Sequence, residues 1–299
     1  MKTSAWGRSV LALSVASVFA FFASSAFAAG APAVVVEAVQ MPAWVERAGA
    51  QPVPVYPGME LKANDQVKTG VNSRLLLRTP DGSSVKLGEK ATYRLGDAQM
   101  RPGNVFAASM SVFEGAFRFT TDTLQKFRGK REVSITVATV TAGIRGTDLW
   151  GKSDIDKQIV CLIEGKIDVT PQGEAPIVMD QALQFYVREK GISLPVGAVD
   201  PAQLKQWATE TEIATGKGAA RRGGHWKVTL ATADDQAGAL KLYDEFRAAG
   251  YPAVILPAVD GDKSVYRLRL INLPSKAEAE ALAGSLKGKM GIDAPLVSM

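Results

Sequence analysis

From Pro52 to about Arg188, apolar and polar residues alternate in short runs. Arg74-Leu75-Leu76-Leu77-Arg78, Ser84-Val85-Lys86-Leu87, Val133-Ser134-Ile135-Thr136-Val137, Ile159-Val160-Cys161-Leu162-Ile163 and Lys166-Ile167-Asp168-Val169 each predict a half-buried or buried strand. Turn formers separate them at Pro80-Asp81-Gly82, Leu95-Gly96-Asp97, Arg101-Pro102-Gly103-Asn104 and Glu164-Gly165-Lys166. No run here carries apolar residues at helical spacing. Residues 50–190 therefore predict an all-β domain, solenoid- or sandwich-like. Asp200 then offers an N-cap and Pro201 a first helical residue, which predicts a short helix over 200–215 with Leu204, Trp207 and Ile213 on one face. Residues 216–224, Gly-Lys-Gly-Ala-Ala-Arg-Arg-Gly-Gly, are small, basic and glycine-rich and predict a flexible linker.

The final segment, 225–299, repeats itself at an offset of 40 residues. Trp226-Lys227-Val228-Thr229-Leu230 falls on Tyr266-Arg267-Leu268-Arg269-Leu270, and both alternate as strands do. Ala239, Leu242, Phe246 and Gly250 fall on Ala279, Leu282, Leu286 and Met290, a helix-face spacing. Gly250 and Gly291 are expected to end the two helices. Pro252–Leu256 and Ala294–Val297 are expected strands, and Asp260-Gly261-Asp262-Lys263 is an expected hairpin turn. The order β-α-β-β-α-β predicts an α+β ferredoxin-like domain with both helices on one face of a four-stranded sheet. The helices need Val228, Leu230, Tyr266, Leu268 and Leu270 beneath them. Alternation then turns Lys227, Thr229, Val265, Arg267 and Arg269 to the bare face. Such a face is either a polar docking surface or a solvated one carrying solubilising charges.

The first thirty residues have another pattern. Lys2 and Arg8 precede an apolar run from Val10 to Ala23, and Ala26-Phe27-Ala28 follows. This predicts a signal peptide over 1–28, with an uncleaved N-terminal membrane anchor as the alternative. The run falls short of the roughly 20 residues that span a bilayer. No cysteine lies near the cleavage site, which excludes lipidation there, and no later run is long enough to cross a membrane. The expected location is the periplasm.

Composition narrows the chemistry. The 299 residues include one Cys and one His, so Cys161 cannot form an internal disulfide and neither residue type can build a metal cluster. Cys161 lies in an apolar run and is expected to be buried and inert. The balance of 35 basic to 30 acidic residues is mild and its members are scattered, unlike the basic stripe of a nucleic-acid binder. No Gly-x-Ser-x-Gly, phosphate loop or paired-carboxylate motif stands out. No residue is therefore nominated as catalytic or metal-binding, no cofactor is expected, and the chain reads as a non-enzyme.

Two family resemblances follow from these residues. The strand Trp226–Leu230, the Ala239-x2-Leu242-x3-Phe246-x3-Gly250 helix, the strand Tyr266–Leu270 and the second helix from Ala279 resemble a SPOR domain over about 224–299. That resemblance implies binding of peptidoglycan glycan strands stripped of stem peptides, through the open sheet face. Arg267 matches the arginine of the third strand. Thr229 and Thr232 take positions that usually carry Gln and Ser, and Val265 a position that can be aromatic. With the neighbouring Lys227 and Arg269, these are the candidate glycan-binding residues. The usual Gly-Ser/Thr-Phe exit stands here as Ala231-Thr232-Ala233.

Gly58-Met59-Glu60-Leu61, Asp65-x-Val67-x-Thr69-Gly70, Asp81-Gly82-Ser83-Ser84-Val85-x-Leu87 and Gly115-Ala116-Phe117-Arg118-Phe119 resemble a FecR-type domain over about 50–170. Thr141-Ala142-Gly143-Ile144-Arg145-Gly146-Thr147-Asp148 with Glu164-Gly165-x-Ile167-x-Val169 resembles it most specifically. Gly143 and Gly146 are expected at a sharp bend or bulge, with Arg145 tying it down. The resemblance implies a small β-solenoid and a periplasmic protein partner. The first functional reading is an exported, non-catalytic wall binder whose β-domain is a protein-interaction or sensing module. The second is a periplasmic signalling or regulatory protein in which the β-domain contact is primary and wall binding is placement.

Overall fold

Strands form where alternation predicts them, at Arg74–Arg78, Ser84–Leu87, Lys130–Val137, Lys157–Glu164 and Ile167–Pro171. The structure, a computed structural model, describes residues 34–121, 129–144 and 146–299. The expected leader and Arg145 lie outside the described residues. Two strands precede the expected start at residue 50: Val34–Gln40, which pairs with Arg74–Arg78, and Ala43–Glu46, which pairs with Gln66–Thr69.

The β-domain has two layers. One contains Val34–Gln40, Arg74–Arg78, Ser84–Leu87, Asp148–Ser153, Lys157–Glu164 and Gln184–Glu189. The other contains Ala43–Glu46, Gln66–Thr69, Thr92–Arg101, Lys130–Val137, Val140–Ile144 and Ile167–Pro171. The strand Val105–Thr120 serves both, pairing first with Thr92–Arg101 and Lys130–Val137, then with Ser84–Leu87 and Asp148–Ser153. Gly115 sits at the crossing with φ +87°, and an added Cβ would stand 2.5 Å from the Ala91 Cα, so only glycine fits. Leu75, Phe117 and Leu149 from one layer meet Tyr93, Met110 and Ile135 from the other in a single buried cluster. Burying each such side chain stabilises by roughly 1.5–3 kcal/mol.

Two of the motif residues hold structural positions. Asp81 is buried: its carboxylate accepts from Thr79 and Ser83 hydroxyls, each at 2.6 Å, and from the Arg131 guanidinium at 2.6 Å. Gly146 has φ +121° and needs to be glycine, as expected of a bend. Gly143 does not mark a bulge: it stands mid-strand in unbroken register with Ser134 and Asp168.

Asp200 caps the helix Pro201–Thr209 by accepting from the Ala202 and Gln203 amides. The helix is shorter than the pattern suggests, and Ile213 lies beyond it. Trp207 stacks on buried Trp150 with ring centroids 4.8 Å apart, and Cys161 is buried in the same small cluster. Glu210 and Glu212 then bind Lys152 and Lys86.

The C-terminal domain has the expected order: strand Trp226–Ala233, helix Gln236–Ala248, strands Val254–Asp260 and Lys263–Leu273, helix Lys276–Leu286 and strand Leu296–Ser298. The repeat extends to the caps, Asp235 and Ser275, each accepting from an amide three residues on. Asp260 pairs with Lys263 across a two-residue loop led by Gly261 at φ +59°. The second helix ends at Leu286, before the expected Gly291, and Gly288 at φ +76° follows its end.

The segment read as a flexible linker makes specific contacts with both domains. Glu278, on the helix Lys276–Leu286, accepts from the backbone amides of Gly216 and Gly218 at 2.6 Å and of Ala219 at 3.1 Å. Ala220–Arg221 adds to the strand Val34–Gln40, opposite Val39 and Ala38. Gly218 is required by closeness, since an added Cβ would lie 2.9 Å from the Leu282 backbone. The small residues that suggest mobility also permit this close approach. A further contact ties the parts: Trp44 Nε1 donates to the Ala248 carbonyl at 3.1 Å.

Candidate functional site

The C-terminal sheet runs Val254–Asp260, Lys263–Leu273, Trp226–Ala233, Leu296–Ser298 from edge to edge. Its helix-side face is apolar as expected: Val228, Leu230, Leu268 and Leu270 are buried, and Tyr266 packs partly buried against the same core. Residues directly opposite on paired strands share a face. One row on the other face is therefore Val254, Arg269, Thr229, Leu296, and the next is Leu256, Arg267, Thr232. Arg269 Nε donates to Thr229 Oγ1 at 3.0 Å, which fixes that arginine across the sheet.

All six candidate residues share this face. Lys227 and Thr229 reach it by alternation. Thr232 reaches it because the register shifts between Thr229 and Ala231, a bulge that reverses the phase of alternation. Their accessibility differs. Val265, opposite Ala258, is only 4% exposed and offers little surface to a ligand, and Thr229 is buried beneath its bond to Arg269. Lys227, Arg267, Arg269 and Thr232 keep accessible surface. Among the described residues, none of the three cations forms an ion pair. Leu256 and the 66% exposed Leu296 belong to the same face and were not nominated from sequence. The outer strands repeat the inner ones poorly, so only the observed register assigns their sides.

The arrangement can donate charged hydrogen bonds from a rigid platform and can offer apolar contact beside them. Among the described residues no cluster of three or more His, Cys, Asp or Glu could hold a metal. Burial pushes the Cys161 thiol up to about 12, with Asp148 adding to the shift, so the thiol is not a nucleophile at neutral pH. Among the described residues no helix is long and apolar enough to cross a membrane.

A two-domain protein with an open polar sheet face is the class that this fold defines. The family comparisons agree with it: the FecR protein family matches residues 65–168 and the SPOR domain family matches residues 223–298. The chain thus carries a FecR domain followed by a SPOR domain, both of binding or regulatory rather than catalytic kind. The SPOR domain indicates peptidoglycan binding, and the FecR domain a protein partner. No curated protein matches the chain. Two crystal structures of a putative anti-sigma factor from Parabacteroides distasonis resemble it. One is 14% identical over 78% of this chain and 98% of that one, the other 13% identical over 74% and 89%, both with a TM-score of 0.39.

Proposed function

We propose that the protein is exported to the periplasm, with residues 1–28 as its signal peptide, and binds peptidoglycan glycan strands through the open face of its SPOR domain. The observation that carries this reading is the gathering of Lys227, Thr232, Arg267 and Arg269 on one uncovered sheet face without carboxylate partners. Arg267 is the central donor. Its guanidinium donates paired hydrogen bonds to hydroxyl, acetamido or lactyl carboxylate oxygens, a geometry that lysine does not reproduce. Thr232, opposite Arg267, supplies a hydroxyl, and Leu256 and Leu296 meet the apolar faces of sugar rings. Lys227 adds attraction to the wall's negative charge, which falls with salt. The FecR-type domain serves as the protein-interaction or sensing module.

Sedimentation of the chain with purified sacculi tests the proposal. Binding should rise when an amidase removes the stem peptides. Equal recovery in the supernatant with and without sacculi overturns it. The match to FecR protein supports a second reading, in which the β-domain's periplasmic partner is primary and wall attachment only places the protein. Loss of a signalling output while wall binding persists, on alteration of the β-domain surface, would favour it.

A further inference from the structure

The open face does not end at the sheet. Val254 stands opposite Arg269 in the ladder and so belongs to that face. The same Val254 lines a cleft of about 590 Å³ that runs between the SPOR domain and the β-domain. Tyr56 enters this cleft from the β-domain, and Tyr243 and Tyr251 enter it from the SPOR domain. Tyr56 is 47% exposed, and burial raises the Tyr251 phenol above its ordinary range, which keeps it a neutral hydrogen-bond donor. Two arginines flank the rings. Arg47 is bound by both carboxylate oxygens of Asp65 at 2.8 Å. Arg247 makes one long contact, 3.4 Å to the Tyr243 hydroxyl, and no ion pair among the described residues.

We infer that this interdomain cleft is a second subsite for the same glycan strand, extending the sheet face into a composite site built by both domains. The inference rests on the glycan-binding reading of the sheet face and deepens it. The sheet face has hydrogen-bond donors but no aromatic ring, since a valine occupies the position that an aromatic could hold. The cleft supplies three rings and a guanidinium held by one long hydrogen bond. Tyrosine gives a large apolar contact with a polar tip, the pairing that sugar rings need. Arg247 would take a sugar carboxylate. A glycan is favoured over a peptide as occupant because Val254, which lines the cleft, also ends the row that carries Arg269. The row Val254, Arg269, Thr229, Leu296 crosses three strand spacings, roughly 14 Å, so a strand of several sugars laid along it reaches the cleft. The β-domain then measures strand length, which a SPOR domain alone would not.

The full chain, titrated with denuded glycan fragments of increasing length, tests this. Affinity of the unaltered chain should rise with length beyond the span of the sheet. Tyr56→Ala should remove that gain, weakening long fragments about 5- to 30-fold and leaving short ones unchanged. Tyr56→Phe should retain it, since the ring remains. Tyr56 is half exposed and contributes little to the core, so folding should persist, and matched thermal unfolding checks this. If Tyr56→Ala binds long fragments as the unaltered chain does while Arg267→Ala is impaired, the cleft is not a subsite and the sheet-face reading stands. If the cleft instead binds isolated stem peptide and no glycan gain with length is seen, the subsite belongs to a peptide and the inference is overturned. If the unaltered chain binds no glycan of any length, the underlying reading fails and the inference with it.

Discussion

Glu278 should be a principal tie between the two domains, and its removal has a calculable cost. The residue is 5% exposed and its carboxylate takes three backbone amides of the 216–219 segment. The sequence Ser275-x-x-Glu278 has the form of a capping box, in which the Glu would turn back to its own helix. It reaches outward instead, and Ser275 alone caps. Charge-assisted bonds of this kind contribute roughly 1.5–3 kcal/mol each, but burying the carboxylate offsets part of the sum. Glu278→Ala leaves the amides of Gly218 and Ala219 buried without an acceptor, so the net loss should be about 3–5 kcal/mol. Glu278→Gln keeps one acceptor oxygen and turns donors toward donors, and should fall between. Equilibrium urea unfolding followed by tryptophan fluorescence reads the loss. Hydrogen exchange locates it: the amides of Gly216, Gly218 and Ala219 should exchange far faster in Glu278→Ala, while the Tyr93 amide in the β-core should lose no more protection than the global change requires. A stability change under 0.5 kcal/mol, or unchanged protection at 216–219, refutes the idea that this carboxylate holds the segment.

Two further outcomes follow from buried groups. Asp81→Ala should cost about 3–5 kcal/mol in chemical unfolding because it removes a buried carboxylate that accepts from the Arg131 guanidinium and two hydroxyls; a loss under 1 kcal/mol would contradict its structural role. Cys161 should resist thiol reagents at pH 8 in the folded chain and react at once in urea. Its folded pKa is raised, so the stability tied to the protonated thiol is present below the unfolded value near 9 and declines as pH climbs toward about 12; a stability profile flat across that window would contradict it.

Much of this was legible in sequence because both layers and the small sheet follow period two over one buried face. The C-terminal domain was most legible, since its halves carry the same helix spacing at an offset of 40 residues. What escaped were features set by distant partners. Val34–Gln40 is an inner strand only because Arg74–Arg78 and Ala220–Arg221 pair with it. Residues 216–224 read as a linker because small residues serve mobility and close contact alike; the Leu282 backbone beside Gly218 decides for contact. Thr232 reaches the open face through a bulge that simple alternation does not show. Tyr56 and Tyr251 meet in one cleft although nearly 200 positions separate them, a juxtaposition that spacing cannot reveal.

The central claim is that the SPOR sheet face holds glycan through Arg267. The direct measurement is the affinity of Arg267→Ala for peptidoglycan freed of stem peptides, set beside Leu268→Ala and the thermal unfolding of both. Arg267 is accessible and Leu268 is buried on the opposite side of the same strand. Arg267→Ala should bind about 10- to 100-fold more weakly with little change in stability. Leu268→Ala should first lose stability, by roughly 2–5 kcal/mol. Unchanged affinity in a folded Arg267→Ala chain would make the arginine a solubilising charge and contradict the assignment of the face.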